Sequence, residues 1–153
     1  MKNMEKSHKV TIEEADISDV HSLALLSGEL GYPATAADMA HRLEAIRSDT
    51  DQKVFVARHD FLVGWIHAVL IHSLESEPYA EIRGLVVTEQ HRGAGIGTQL
   101  VQEAEKWAKR LHCGRIRVRT NIVRAEAHAF YRKLGYVSRK TQSVFDKSIT
   151  PDE

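Results

Sequence analysis

Residues 90–97 read Gln-His-Arg-Gly-Ala-Gly-Ile-Gly and form the most informative stretch of this 153-residue chain. They lie between Tyr79–Val87, a β-rich run, and a helical pattern that continues through about Leu111 with its apolar residues on one face. Glycines let backbone N–H groups approach a ligand, and a helix N-terminus carries about half a positive charge. The stretch therefore predicts an anion-binding turn suited to phosphate, to which Arg92 adds a forked donor.

Two common phosphate-binding motifs do not fit this turn. A dinucleotide fingerprint G-x-G-x-x-G that starts at Gly93 requires a glycine at position 98, where Thr98 stands. A Walker loop requires a Gly-Lys pair, and the sequence contains none. An interpretation without a ligand stays open, in which the three glycines only permit a tight turn and close packing of the helix.

Composition narrows the class of protein. Lys and Arg together number 21, as do Asp and Glu, so the formal net charge is zero. A protein that binds nucleic acid through its phosphates usually has an excess of basic residues, so the net charge disfavours that class. The length predicts a single domain over residues 1–153.

The single cysteine, Cys113, excludes an intrachain disulfide and a multi-cysteine zinc site, so no metal is expected. Because no apolar run is long enough for a membrane span and Met1–Lys9 lacks the features of a secretory signal, we expect a cytoplasmic protein.

The order of patterns along the chain predicts a mixed α/β fold. We expect about six to seven strands and about four helices in the order β-α-α-β-β-β-α-β-α-β-β, with two crossovers that favour parallel pairing in a mainly antiparallel sheet. Thr35 is the expected cap of the second helix. The predicted strands are Val10–Glu14, Val54–Ala57, Val63–Ile71, Tyr79–Val87, Arg115–Arg119, Tyr136-Val137 and Ser143–Ile149.

Two motifs together carry a resemblance to a known family. Gln90, Gly93 and Gly95 match the pattern Q/R-x-x-G-x-G/A, and residues 127–136, AHAFYRKLGY, match A-x-x-F-Y-x-x-x-G-F/Y. With this combination the chain resembles the GCN5-related N-acetyltransferase (GNAT) superfamily over nearly its whole length. It looks most like small bacterial members such as aminoglycoside 6′-N-acetyltransferases and aminoalkylphosphonate N-acetyltransferases.

The resemblance implies that acetyl-CoA is the co-substrate and lies where strands four and five of the sheet splay apart. The turn and the helix N-terminus would hold its pyrophosphate, and the end of strand four would pair with its pantetheine arm. A backbone N–H near Val86 or Val87 would polarise the thioester carbonyl. The implied cofactor-binding residues are Leu85, Val86, Val87, Arg92, Gly93, Ala94, Gly95, Ile96, Gly97, Thr98, Asn121 and Tyr131.

For catalysis the resemblance implies Tyr131 as the general acid that protonates the departing thiolate, with a core aromatic as the alternative role. Glu81 is the candidate general base, directly or through water, with a solvated strand carboxylate as the alternative. Related enzymes often have an acidic pair where this chain has Arg83-Gly84. Positioning of two substrates with water as the proton acceptor is therefore a further alternative.

The implied acceptor side carries carboxylates beside aromatic rings, which favours a small cationic amine resembling an aminoglycoside or a polyamine. Its predicted residues are Glu29, Tyr32, Glu75, Glu77 and Tyr79.

Other functions stay open. A protein or peptide N-acetyltransferase is the nearest alternative, and a non-catalytic acyl-CoA-binding regulatory module is another. A nucleic-acid module would use Arg110, Arg115, Arg117 and Arg119, although alternating arginines on a strand can simply face solvent. The resemblance also implies that a homodimer can form through the C-terminal strands; without one, Val144–Ile149 would leave an exposed sheet edge.

Overall fold

A computed structural model describes residues 9–120 and 125–152. The chain divides into two compact units, residues 1–119 and residues 120–153. The strands are β1 (Thr11–Glu14), β2 (Gln52–His59), β3 (Phe61–Ile71), β4 (Tyr79–Val87) and β5 (Ile116–Val118). The helices are α1 (Val20–Glu29), α2 (Ala36–Arg47), α3 (Ile96–Arg110) and α4 (Ala125–Lys133). All strands and the first three helices belong to the first unit, and α4 belongs to the second.

The five strands form one mixed sheet in the order β1-β2-β3-β4-β5. The first four pair antiparallel with their neighbours, and β5 pairs parallel with β4 after the crossover through α3. This confirms the α/β fold class and the predicted mixture of pairing. Among the helices of the described residues, none has the length and apolar character needed to cross a membrane.

The predicted C-terminal strands are wrong for the described residues. The sheet has five strands rather than six to seven, and residues 136–152 form neither helix nor strand, so Tyr136-Val137 and Ser143–Ile149 are not sheet members. Of the two predicted crossover connections between parallel strands, the one that joins β4 to β5 through α3 is present. Extended backbone becomes a strand only where a neighbour accepts and donates its hydrogen bonds, and an apolar pattern alone does not supply that neighbour.

A β-bulge lies in the middle of β4. His67 of β3 pairs with Gly84, and the next residue, Ala68, pairs with Ile82, so Arg83 is the extra residue on β4. Side chains alternate between the faces of a strand, and one extra residue reverses that alternation. Glu81 and Val86 therefore point to the same face of the sheet, although five positions separate them.

Helices cover both faces of the sheet. Leu23, Leu26 and Leu43 of α1 and α2 share a buried cluster with Val56 and Val86. The opposite face packs against α3, which has the most strongly amphipathic pattern of the helices and buries six residues. These are Ile96, Leu100, Val101, Ala104, Trp107 and Ala108. Close approach of α3 depends on a glycine, because a Cβ on Gly64 would lie 3.2 Å from Leu100 Cδ1 and 2.9 Å from the Val86 carbonyl oxygen.

Local capping sets the start of α2 as predicted. The Thr35 hydroxyl accepts a hydrogen bond from the Asp38 N–H at 3.0 Å, and the Asp38 carboxylate accepts one from the Thr35 N–H at 3.2 Å. This reciprocal capping box satisfies two amides that the helix itself leaves unpaired. The hydrogen bonds from Thr35 lower the pKa of Asp38.

His67 is a mostly buried titratable group on β3, opposite Gly84 beside the bulge. Its Nε2 lies 2.8 Å from Oε1 of Gln52. Burial, assisted by the positive charge of Arg83, lowers the pKa of His67 from 6.5 to about 4. The imidazole is therefore neutral at pH 7, with Nε2–H donating to the amide oxygen.

We predict that His67 makes the fold sensitive to acid. The folded state holds the imidazole neutral while the unfolded chain protonates it below about pH 6.5. The stabilisation is present above pH 6.5 and is lost as the pH falls towards 4, by at most roughly 3 kcal/mol. Urea unfolding of wild type and His67→Gln at several pH values measures this difference. Parallel pH dependence of the two proteins between pH 6.5 and 4 would contradict the prediction.

Candidate active site

The second half of β4 offers an open sheet edge. β5 pairs with β4 only over Ala80–Ile82. Beyond the bulge, Gly84–Val87 pairs with β3, and its other edge has no strand partner within residues 9–120 and 125–152. An extended amide chain can add to such an edge by main-chain hydrogen bonds.

The glycine turn follows this edge directly. Gly93 and Gly95 each have φ of +82°, the left-handed region that favours glycine, and a Cβ on either would have no atom within 4 Å. The first amide of the α3 ladder is that of Gln99, which donates to the Gly95 carbonyl at 3.1 Å. The amides of Ile96, Gly97 and Thr98 therefore have no acceptor inside the helix and are available to an anion.

Side chains hold the connection between β4 and α3 in place. Arg92 Nε donates to the Val87 carbonyl at 3.1 Å. Glu29, the last residue of α1, accepts from the Thr88 hydroxyl and from the Glu89 N–H, each at 3.2 Å. Glu29, predicted as an acceptor-binding residue, thus contacts the connection that leads into the glycine turn.

Glu81 is a buried carboxylate with two arginine partners. It is 3% exposed, so it is not the solvated carboxylate that the sequence left as an alternative. Arg119 Nε lies 2.6 Å from one carboxylate oxygen, and Arg83 Nε lies 3.5 Å from the other. The hydrogen bond to Glu81 raises the pKa of Arg119. Both carboxylate oxygens are thus directed at guanidinium groups.

Two further arginines lie against the buried ring of Tyr79. The guanidinium carbons of Arg115 and Arg117 are 4.4 Å and 4.8 Å from the ring centroid. Arg117 Nη1 is also 3.5 Å from the Tyr79 hydroxyl. Arg115 and Arg117 are therefore half-buried against this ring, a contact that the sequence did not predict.

Tyr131 belongs to the second unit, on α4. It is buried, and its ring makes edge contacts with Phe130 at 5.0 Å and Tyr136 at 5.5 Å between centroids. Burial raises the pKa of Tyr131 to about 12. The phenol therefore keeps its proton over the whole physiological pH range.

The structure gathers some of the predicted residues and separates others. Most of the predicted cofactor-binding residues lie on one continuous stretch of chain, which comprises the end of β4, the glycine turn and the start of α3. Tyr79 and Glu81 share a face of the sheet, since their β3 partners Ile71 and Val69 lie two residues apart. Tyr32 is 68% exposed after α1, and Glu75 and Glu77 are exposed in the β3–β4 connection. Asn121 lies outside the described residues.

Sequence reasoning missed the groups that surround Glu81. It did not predict the bulge, although a glycine inside a strand, here Gly84, is the usual signal of one. It also gave no partner to Arg83, Arg117 or Arg119, because cross-strand register decides which side chains meet.

Comparison with known proteins gives the family. Residues 18–136 match the family model described as Acetyltransferase (GNAT) family. The chain belongs to the GNAT family. The acetyl-CoA-dependent N-acetyltransferase class expected from the sequence is thereby confirmed, and members of this family use acetyl-CoA.

Two curated relatives of this GNAT chain are acetyltransferases. An aminoglycoside N(6′)-acetyltransferase type 1 of Acinetobacter haemolyticus is 29% identical over 79 residues, which span 52% of this chain and about half (54%) of that enzyme. An aminoalkylphosphonate N-acetyltransferase of Salmonella typhimurium is 32% identical over 143 residues, or 91% of this chain and 88% of that enzyme.

A solved structure supports the fold. AAC(6′)-Iy in complex with the bisubstrate analogue CoA-S-monomethyl-acetylneamine superposes with a TM-score of 0.82 at 16% identity, covering 92% of this chain and 99% of that one. At that identity the likeness concerns the fold alone.

We predict that Gly95→Ala weakens binding of CoA to this GNAT chain about tenfold. An alanine at positive φ costs about 1–2 kcal/mol, and it moves the turn that presents the α3 amides. Isothermal titration with CoA measures the change. Gly114→Ala is the matched control, since Gly114 also has open space around it but has no positive φ. Equal CoA affinity of Gly95→Ala and wild type would refute the expected role of the turn.

Proposed function

We propose that this protein transfers an acetyl group from acetyl-CoA to a primary amine of a small acceptor, by direct attack in a ternary complex. One observation carries the proposal: the open edge of Gly84–Val87 runs directly into a glycine turn and the unpaired first amides of α3. An extended amide chain that ends in a diphosphate requires these two features in this order. Acetyl-CoA has that form and supplies an activated thioester.

In the proposed reaction the amine nitrogen forms a bond to the acetyl carbonyl carbon while the carbon–sulfur bond breaks. A backbone N–H near Val86 or Val87 donates to the carbonyl oxygen as negative charge develops there. Water or Glu81 accepts the proton that the amine loses, and Tyr131 gives its phenolic proton to the leaving thiolate.

The raised pKa of Tyr131 makes this residue a less effective general acid. An ordinary phenol has a pKa near 10, and a value of about 12 makes the proton transfer to sulfur costlier by about 3 kcal/mol. The two carboxylate oxygens of Glu81 already contact Arg83 and Arg119, which leaves them less accessible to an amine. We therefore propose that positioning the amine against the thioester supplies the largest share of the rate enhancement.

The acceptor predicted from sequence is a small cationic amine, similar to an aminoglycoside or a polyamine. Exposed Glu75 and Glu77 support it, as do the relatives that are aminoglycoside acetyltransferases. Glu29 supports it less, since its carboxylate accepts hydrogen bonds from the β4–α3 connection. A cytoplasmic location stays a prediction.

Thiol release from acetyl-CoA across a panel of amines tests the proposed function. The panel contains kanamycin, spermidine, small primary amines and a peptide with a free N-terminus, and it separates the small-molecule enzyme from a peptide acetyltransferase. Binding of acetyl-CoA without thiol release on any amine would favour the regulatory module and refute the enzyme.

We predict that Tyr131→Phe lowers kcat about 100-fold on any active amine, because it removes the proposed proton donor while keeping the ring. Steady-state kinetics measures the effect. Tyr136→Phe is the control, since it removes a neighbouring phenol at a position where the family pattern accepts Phe. With a pKa of about 12, Tyr131 adds no alkaline limb to the rate profile below about pH 10. Unchanged kcat in Tyr131→Phe would remove Tyr131 from the mechanism.

We also propose a second copy of the chain as a partner. Val137, Val144, Phe145 and Ile149 are each at least 80% exposed in a segment without strands. Pairing with another chain would give this segment hydrogen-bonding neighbours and cover its apolar residues. We expect a dimer in sedimentation velocity runs and a shift to monomer in Phe145→Asp. A wild-type protein that sediments as a monomer at high concentration would contradict the prediction.

A further inference from the structure

The indole ring of Trp65 lies across the start of the open edge of β4. Trp65 is on β3, directly opposite Val86. A Cβ on Gly84 would lie 2.9 Å from two carbon atoms of its six-membered ring, Cη2 and Cζ3. The ring therefore leans from the level of Val86 over the backbone of Gly84, which has no side chain to oppose it. Gly84 is also the residue at which the open edge begins.

The part of the Trp65 side chain that is accessible consists of carbon. Trp65 is half-buried, whereas its one polar atom, Nε1, is buried and has no hydrogen-bond acceptor within residues 9–120 and 125–152. A buried donor without an acceptor lowers stability, so its presence in a folded protein requires an explanation. The position of the carbon edge beside the candidate site offers one.

The face of the sheet that carries Trp65 opens at this ring. Val86 is 4% exposed beneath α1 and α2, whereas Gly84, two residues earlier on β4, is half-buried. His67, the cross-strand partner of Gly84, is half-buried on the same face. Because α3 packs on the opposite face, the side that carries Trp65 is the one left for an acceptor. We call Trp65, His67 and Gly84 the ring floor.

The ring floor is uncharged at pH 7. Burial, assisted by the positive charge of Arg83, lowers the pKa of His67 to about 4, so its imidazole is neutral. A cation is attracted to the face of an indole. Here the charge of Arg83 already acts on the floor and would oppose a second cation, whereas a neutral apolar group meets no such repulsion.

The ring floor is close to a thioester held at the open edge. Neighbouring strands are about 4.8 Å apart, so an extended chain added to β4 would lie about that far from Gly84. The proposed donor to the thioester carbonyl is a backbone N–H near Val86, the residue opposite Trp65. An amine that attacks this carbonyl from the Trp65 face therefore brings its own carbon atoms next to the indole.

We propose that Trp65 is a specificity-determining residue for the acceptor, whose indole favours a primary amine with a flat apolar group, such as an aromatic ring, one or two carbons from the nitrogen. The inference rests on the proposed function and concerns the acceptor side of that same site. Two aromatic rings in contact gain from the apolar area that they remove from water and from their edge and face charges.

Amines that share an ethylamine unit test this inference. 2-Phenylethylamine carries a flat ring, 2-cyclohexylethylamine a puckered ring of six carbons, and propylamine a methyl group. We expect kcat/KM to be at least tenfold higher for 2-phenylethylamine than for propylamine, and the ratio to be insensitive to salt because the contact is apolar. A value for propylamine, 2-cyclohexylethylamine or spermidine equal to or above that for 2-phenylethylamine would overturn the inference.

Variants assign the preference to Trp65. Trp65→Leu should lower the ratio of kcat/KM between 2-phenylethylamine and propylamine about tenfold, and Trp65→Phe should keep part of it, because it retains a flat ring. Gly84→Ala should lower the same ratio, since its methyl group would displace the indole. Trp107→Phe, at a buried position of α3, is the control and should keep the wild-type ratio. An unchanged ratio in Trp65→Leu and Gly84→Ala, each folded by circular dichroism, would overturn the inference.

A fluorescence measurement separates this inference from the proposed function. The chain has two tryptophans, so the emission of Trp107→Phe comes from Trp65. Titration of 2-phenylethylamine into the CoA complex of this variant should change the emission at concentrations at which propylamine does not. That result supports the inference even when no amine releases thiol and the proposed function fails. Thiol release on other amines, with no emission change from 2-phenylethylamine, overturns the inference and leaves the proposed function intact.

Discussion

One extra residue in β4 determines the arrangement of the whole site. Because Arg83 has no partner residue on β3, the alternation of side chains reverses in the middle of β4, and Glu81 and Val86 point to the same face. The bulge also lies where pairing with β5 ends. The strand therefore divides into a first half that is hydrogen-bonded on both sides and a second half that offers its outer edge. Without the bulge, the carboxylate would point to the face that α3 covers.

Glycine serves this arrangement in two ways. At Gly93 and Gly95 the backbone has a positive φ, and the turn depends on that conformation. At Gly84 the requirement is space, since a Cβ would lie 2.9 Å from two carbon atoms of the Trp65 ring. The same residue type thus sets the path of the backbone in the turn and permits close packing next to the bulge.

The sequence predicts the parts of the structure that depend on local chemistry. The Thr35 cap, the glycine turn and the helix that follows it depend on neighbouring residues, and the structure has them. The contacts of the β5 arginines do not follow, because the contact of Arg117 with Tyr79 depends on parallel register between residues 38 positions apart. The C-terminal strand at Ser143–Ile149 fails for a related reason, since its pattern contains no information about which edge would accept it. Tyr131 was identified by its motif, but its raised pKa comes from burial, which a motif does not encode.

The hydrogen bonds of Glu29 join two regions that the sequence treats as separate. This carboxylate ends α1 and accepts from both Thr88 and Glu89, which begin the connection to the glycine turn. Each exposed hydrogen bond of this kind contributes about 1 kcal/mol or less. If the proposed function holds, a change at the end of α1 that is made to alter the choice of amine would therefore also alter the affinity for the acyl donor. The two specificities would then be one coupled property for an engineer.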